Sequence, residues 1–101
     1  MAYYLVTAKP ISLKMPALRK WLDSGEIRLM TPFGQALHMG LDQARWMAEG
    51  LAIWEEEDYC TPPLAQERAA VLDAYFTDLK VEAVEKHSGW KQIEAKLNLW
   101  V

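Results

Sequence analysis

Two short segments of the sequence are apolar on both faces of the strands that they predict, and this feature restricts the possible folds most strongly. Residues 3–8 (Tyr-Tyr-Leu-Val-Thr-Ala) and residues 51–54 (Leu-Ala-Ile-Trp) are rich in the aromatic and β-branched side chains that strands favour. A strand that is apolar on both faces needs a covering layer on each side. The chain is therefore expected to form a sheet with protein on both of its faces.

Length and composition fit one such domain. The chain has 101 residues, of which 51% are hydrophobic and 25% charged, as in ordinary globular proteins. A chain of this length buries about 60–70% of its unfolded surface. No repeat or linker divides it, so we predict a single domain over residues 1–101 with a small core.

Two helices are predicted from apolar spacing and end signals. The first covers Ser12–Ser24, and Gly25 follows it as a left-handed terminator. A Thr-Pro pair at residues 61 and 62 has the residue types preferred at a helix start, which predicts a second helix over Pro62–Phe76. On this second helix, Glu67 is expected to face solvent.

Two further strands are predicted outside the apolar segments. Glu26–Met30 has the length and composition of a short strand. Leu79–Val84 alternates, which predicts that Leu79, Val81 and Ala83 point inward.

The middle of the chain leaves alternatives open. Residues 44–48 alternate and precede a Glu-Gly pair, which favours a hairpin into the strand Leu51–Glu55, whereas the other interpretation is a short helix over Leu41–Glu49. Gln35–Leu41 is predicted as an irregular crossing or an extended strand. In the tail, residues 88–101, apolar residues recur at intervals of 3, 4 and 3 and predict an amphipathic helix.

These elements predict the α+β class. Right-handed crossovers give a βαββαβ order, a ferredoxin-like sandwich in which an antiparallel sheet carries two helices on one face. The other face would expose apolar residues, which a soluble monomer rarely does over a large area. Either the tail or the sheet of a second chain must cover it.

Face-to-face pairing of two such sheets is similar, in architecture only, to the dimeric α+β barrels. We therefore expect a homodimer, with the tail packing in cis or in trans. The interface candidates are the large apolar residues of the first strand and the tail: Tyr4, Trp90, Ile93, Leu97 and Trp100.

Several partners and locations are not expected. The net charge of −3 disfavours nucleic acid, which binds basic surfaces. No apolar stretch reaches the ~18 residues of a membrane span. The N-terminus lacks a signal-peptide pattern, and one cysteine cannot form an internal disulfide, so a cytoplasmic protein is the default. No glycine-rich phosphate loop or metal-ligand spacing predicts a cofactor or a metal.

Three residues are candidates for catalysis. Cys60 precedes the predicted helix start, where the helix dipole can lower the pKa of a thiol. Asp58 ends the acidic run 55–58 and lies in a loop before a helix, where clefts often form. His38 has a side chain suited to a general base.

Four aromatic or basic residues are candidates for ligand binding: Arg45, Trp46, Trp54 and Tyr59. The chain has five tryptophans, and their rings either anchor cores and interfaces or stack on ligands. Two functions follow as hypotheses. The first is an association or accessory protein, acting as a homodimer or a docking subunit. The alternative is a cofactor-independent enzyme, or a binder of an apolar or aromatic small molecule, with a pocket between sheets.

Overall fold

The computed structural model describes residues 2–101 and contains one four-stranded sheet. The sheet order is β2-β3-β1-β4, and each neighbouring pair is antiparallel. The strands are β1 (Ala2–Pro10), β2 (Arg45–Met47), β3 (Leu51–Asp58) and β4 (Phe76–Val84). The two apolar strands of the sequence, β1 and β3, are the two central strands, as their composition requires.

Four helices accompany the sheet, which confirms the α+β class. They are α1 (Met15–Ser24), preceded by a 3₁₀ turn at Ser12–Lys14; α2 (Gly34–Asp42); α3 (residues 65–75), which is π-helical at Arg68–Leu72; and α4 (Ser88–Ile93). The predictions of the first strand, the first helix, the hairpin and the last strand are confirmed.

The segment predicted as the strand Glu26–Met30 is wrong. It forms consecutive turns, in which the Met30 N–H donates to the Ile27 carbonyl and the Gly34 N–H donates to the Met30 carbonyl. Ile27 alone is fully buried, while Leu29 points to solvent. One buried residue anchors a turn but does not require a strand.

The extended or irregular prediction for Gln35–Leu41 is also wrong, because this stretch lies in α2. Leu37 and Leu41 face the core one turn apart. Gly40 lets the helix lie close to the sheet, since a Cβ at this position would come 2.7 Å from Cδ1 of Trp54. Glycine has a low helix propensity, so the residue that permits the packing also hides the helix in the sequence.

The second helix begins and ends at other residues than predicted. It starts at Ala65 rather than Pro62, because the carboxylate of Asp58 accepts a hydrogen bond from the Leu64 N–H and Leu64 has left-handed backbone angles. It ends before Phe76, which is the first residue of β4. The Asp58 side chain therefore caps this helix where Thr61 was expected to do so.

Two apolar clusters lie on opposite faces of the sheet. The larger one packs α1, α2 and α3 on the face that carries Val6 and Trp54. The smaller one lies on the other face, where Ile93 of α4 packs on Leu5 and Ile53. The covering layer that the sequence requires on this second face is thus supplied by the chain's own tail.

Beyond α4, the second face and the outer edge of β4 are polar. Lys80 and Glu82 are exposed, as predicted. Ala83, predicted to point inward, is also exposed, because it lies near the end of the edge strand. Leu79 and Val81 are half-buried against the larger cluster.

The rest of the tail runs along the edge of β2. The Trp46 N–H donates to the Leu97 carbonyl at 2.8 Å, and the Leu99 N–H donates to the Ala44 carbonyl at 2.8 Å. Trp100 closes the larger cluster, and its Nε1 donates to the Leu41 carbonyl. Across residues 2–101, no helix has both the length and the apolar character needed to cross a membrane.

Candidate functional site

A cleft of about 410 Å³ opens at the end of β3. One wall is α2 with the turn before it, another is the start of α4, and the floor is the acidic end of β3 with the loop that follows. The side chains that line it are aromatic, apolar and acidic, including Tyr3, Phe33, Met39, Glu56, Glu57, Asp58, Tyr59, Cys60 and Trp90. This volume is in the range of small-molecule sites.

Glu55 fixes the wall formed by α4. Its carboxylate accepts hydrogen bonds from the backbone N–H groups of His87 at 2.9 Å, Gly89 at 2.8 Å and Trp90 at 3.3 Å. A Cβ on Gly89 would lie 2.8 Å from Oε1 of Glu55, so only glycine fits here without a shift. Glu55 thus satisfies the free N–H groups of the helix start and positions Trp90.

Glu57 presents a carboxylate between two tyrosines. It accepts hydrogen bonds from the hydroxyl of Tyr3 and, at 3.0 Å, from the hydroxyl of Tyr59. These bonds hold the pKa of Glu57 below its usual range, and they raise the pKa of Tyr3 to about 12. Glu57 is therefore an anion at neutral pH, flanked by aromatic rings.

Asp58 is a buried carboxylate that organises the following loop. It accepts hydrogen bonds from the N–H groups of Leu64 at 2.6 Å and Cys60 at 3.1 Å. Burial acts to raise the pKa of Asp58, but these backbone hydrogen bonds and the hydrogen-bonding contact with the Glu67 side chain outweigh it, and the pKa lies below the usual value. Asp58 is a second anion of the cleft.

Glu56 and Glu67 form a buried carboxyl pair beneath the cleft. Their exposed fractions are 2% and 0%. Nε1 of Trp54 donates to Oε1 of Glu56 at 3.0 Å, but Oε2 of Glu56 and Oε2 of Glu67 have no hydrogen-bond partner. Burial, and then the contact between the two carboxyl groups, raise the pKa of Glu56 well above its ordinary value, and burial also raises the pKa of Glu67. Both shifts favour the protonated form of the pair over the ionised form.

Glu67, predicted to face solvent, is instead fully buried. Glu67 lies three residues after Leu64 and four before Val71, both of which are buried. This spacing places the carboxyl on the buried stripe of α3. An acidic residue on an apolar stripe was the signal that could have identified it.

Cys60 is half-buried beside these acids, with Sγ 3.8 Å from Oε1 of Glu67. A hydrogen bond from the backbone of Gln66 acts to lower the pKa of the thiol, but burial and the charges of Asp58 and Glu67 outweigh it and raise the pKa. The expected decrease in the pKa is wrong: Gln66 lies in the first turn of α3 and acts in the expected direction, but burial and the neighbouring acids have the larger effect. Cys60 is consequently a thiol at neutral pH unless a cation lies beside it.

The structure places the other catalytic candidate, His38, away from this cleft. Its Nε2 lies 2.8 Å from a guanidinium nitrogen of Arg28, and burial and then the charge of Arg28 lower its pKa. Arg45, a ligand-binding candidate, donates to the carbonyls of Glu94 and Lys96 and so holds the tail. It also lines a neighbouring cleft of about 370 Å³.

The aromatic candidates are distributed over the molecule. Trp54 is fully buried and packs on Phe76 with ring centroids 5.4 Å apart, whereas Trp46 is exposed on β2. Tyr59 and Trp90 line the cleft. The remaining interface candidates also lie in different parts of the fold. Tyr4 and Trp100 lie against the larger cluster, Ile93 is buried in the smaller one, and Leu97 is 73% exposed.

Comparison with known proteins finds no protein-family model, no curated protein and no solved structure that matches this chain.

Proposed function

We propose that this protein binds a small organic cation with an aromatic or apolar body in the cleft at the end of β3. The observation that carries the proposal is the Glu57 carboxylate at the cleft, held ionised by the hydroxyls of Tyr3 and Tyr59. An ammonium group there would donate a charge-assisted hydrogen bond to an anion that is already oriented.

The charge of the cleft favours a cation over an anion. Glu57 and Asp58 are both ionised at neutral pH, and Lys86 is the lysine that lines the cleft with them. Its Nζ lies 5.9 Å from the ring centroid of Tyr3, a cation–π contact that a ligand cation can also make.

The other walls favour an apolar ligand body. Phe33, Met39 and Trp90 line the cleft together with the acids. Aromatic and thioether side chains adapt to flat, apolar ligands, and a few oriented polar groups then determine the ligand's direction. This composition supports the hypothesis of a small-molecule binder more directly than that of a docking subunit.

The test is calorimetric titration with phenethylamine and with 2-phenylethanol, its uncharged counterpart. We expect saturable binding of the amine and much weaker binding of the alcohol. Glu57→Gln should lower the affinity for the amine about tenfold, the usual effect of losing a hydrogen bond to a charged group. Glu49→Gln is the matched control, because Glu49 is exposed in the turn before β3, at the far end of the strand from the cleft. Equal affinity for the two compounds would contradict the proposal.

We also propose that two copies of the chain associate through the edge strand β4, rather than through the sheet face that α4 covers. The strand order is compatible with a ferredoxin-like sandwich, and α4 covers the apolar part of the second face, so a face-to-face dimer is no longer needed to bury it. In an antiparallel pair of β4 strands centred on Val81, Lys80 of each chain would face Glu82 of the other. This self-complementary charge supports a homodimer with a continuous sheet.

A further inference from the structure

We propose that Asp58, Cys60 and Glu67 bind one divalent transition-metal ion of the zinc type at the floor of the cleft. One ligand atom from each residue lies within 4.8 Å of the other two. The site goes beyond the proposed function, since amine binding at Glu57 does not need it.

The distances fit a small cation. Zinc bonds of about 2.3 Å to sulfur and 2.0 Å to oxygen place two tetrahedral ligand atoms about 3.5 Å apart. Sγ of Cys60 and Oε1 of Glu67 are 3.8 Å apart. Movements of a few tenths of an ångström would therefore bring these two atoms into one coordination sphere.

A second observation points to a cation at this place. Oε2 of Glu56 and Oε2 of Glu67 are buried without a hydrogen-bond partner, and Glu56 lies against Glu67. Within residues 2–101, the ion pairs involve only Arg19 and Arg68, so no arginine or lysine neutralises these acids. Buried carboxyl oxygens need a proton or a cation between them.

The ligand set selects the metal class. A thiolate with two carboxylates suits zinc or cobalt, whereas calcium and magnesium prefer oxygen ligands alone. Asp58 and Cys60 also line the cleft, so a fourth coordination position would face its interior. Asp58 is held by the Leu64 N–H and Glu67 by α3, which gives the site two rigid supports.

The experiment uses tag-free protein treated with a chelator and then titrated with Co²⁺ alone. We expect one equivalent to bind, with a thiolate-to-cobalt charge-transfer band in the near ultraviolet, and Zn²⁺ to displace it. Cys60→Ser should remove the band. Both Cys60→Ser and Glu67→Gln should weaken binding by at least about tenfold. Glu49→Gln should bind as the unchanged protein does.

Two results would overturn the site: no saturable binding of Co²⁺, or binding without the band and unchanged in Cys60→Ser. Circular dichroism shows whether Glu67→Gln folds. If it does not, Cys60→Ser is the deciding variant, because Cys60 is only half-buried and loss of the charge-transfer band shows that its thiolate binds the metal. The phenethylamine titration is carried out on chelator-treated protein, so failure of the metal site and failure of the proposed function are distinguishable.

Discussion

Four consecutive carboxyl groups at the end of β3 differ in role because their partners differ. Glu55 binds three backbone N–H groups, Glu57 two tyrosine hydroxyls, and Asp58 the loop before α3. Glu56 faces another carboxyl and retains an oxygen without a donor. From the sequence, this run is typical of a solvated strand end. Some partners are neighbours in the sequence, such as Tyr59 and Cys60, but Tyr3 and the start of α4 are more than 30 residues away, and no local pattern in 55–58 specifies them.

The Glu56–Glu67 pair makes stability depend on pH. The pKa of Glu56 is higher in the folded than in the unfolded chain, so its favourable contribution is complete below the unfolded pKa and is lost as pH rises through the folded pKa. Glu56→Gln cannot ionise. In chelator-treated protein, the stability of this variant relative to the unchanged protein should therefore increase between pH 5 and pH 8, by about 1 kcal/mol or more.

Urea unfolding at the two pH values measures this difference. Glu49→Gln, whose site is exposed, should show no comparable change. A relative stability of Glu56→Gln that is the same at pH 5 and pH 8 would contradict the assignment of a buried, protonated pair.

Among the helices and strands, α4 lies closest to the sheet at Gly89, which faces Glu55 and Leu5. Gly89→Ala would bring a methyl group to 2.8 Å from Oε1 of Glu55 and 3.1 Å from Cδ1 of Leu5. We expect it to lower the free energy of unfolding by about 1–3 kcal/mol, the usual cost of overpacking. Ser88→Ala, one residue earlier, is the control. Thermal unfolding of the two variants checks this, and equal melting temperatures would contradict it.

The elements that the sequence predicts correctly carry their information locally. The alternation in residues 44–48 and the apolar strands β1 and β3 are local patterns, and their positions are confirmed. The start of α3, in contrast, depends on the side chain of Asp58, which accepts a hydrogen bond from Leu64, six positions further on. The position of α2 depends on Gly34 and Gly40, where a Cβ would clash with residues outside the helix. The site follows the same rule: Asp58 and Cys60, predicted from a loop before a helix, line the cleft, whereas Glu67 and Trp90 reach the site only through tertiary packing.

At the scale of the whole molecule, the proposed dimer predicts that dimerisation depends on the charges at Lys80 and Glu82. Lys80→Glu would set like charges opposite each other twice in the symmetric β4 pair, which should weaken dimerisation about tenfold. Adding Glu82→Lys should restore it, because the opposite charges face each other again. Light scattering on the eluted protein measures the mass. A monomer of 11.6 kDa at every concentration of the unchanged protein would contradict association at this edge.

If the cleft at the end of β3 is the ligand site, the indole N–H signals of ¹⁵N-labelled protein will report binding there. Phenethylamine should shift the signal of Trp90, identified by its absence in Trp90→Phe, because Trp90 lines the cleft. The signals of Trp21 and Trp46, which do not line it, should stay unchanged. A shift at Trp46 with none at Trp90, or no shift at saturating amine, would contradict the account.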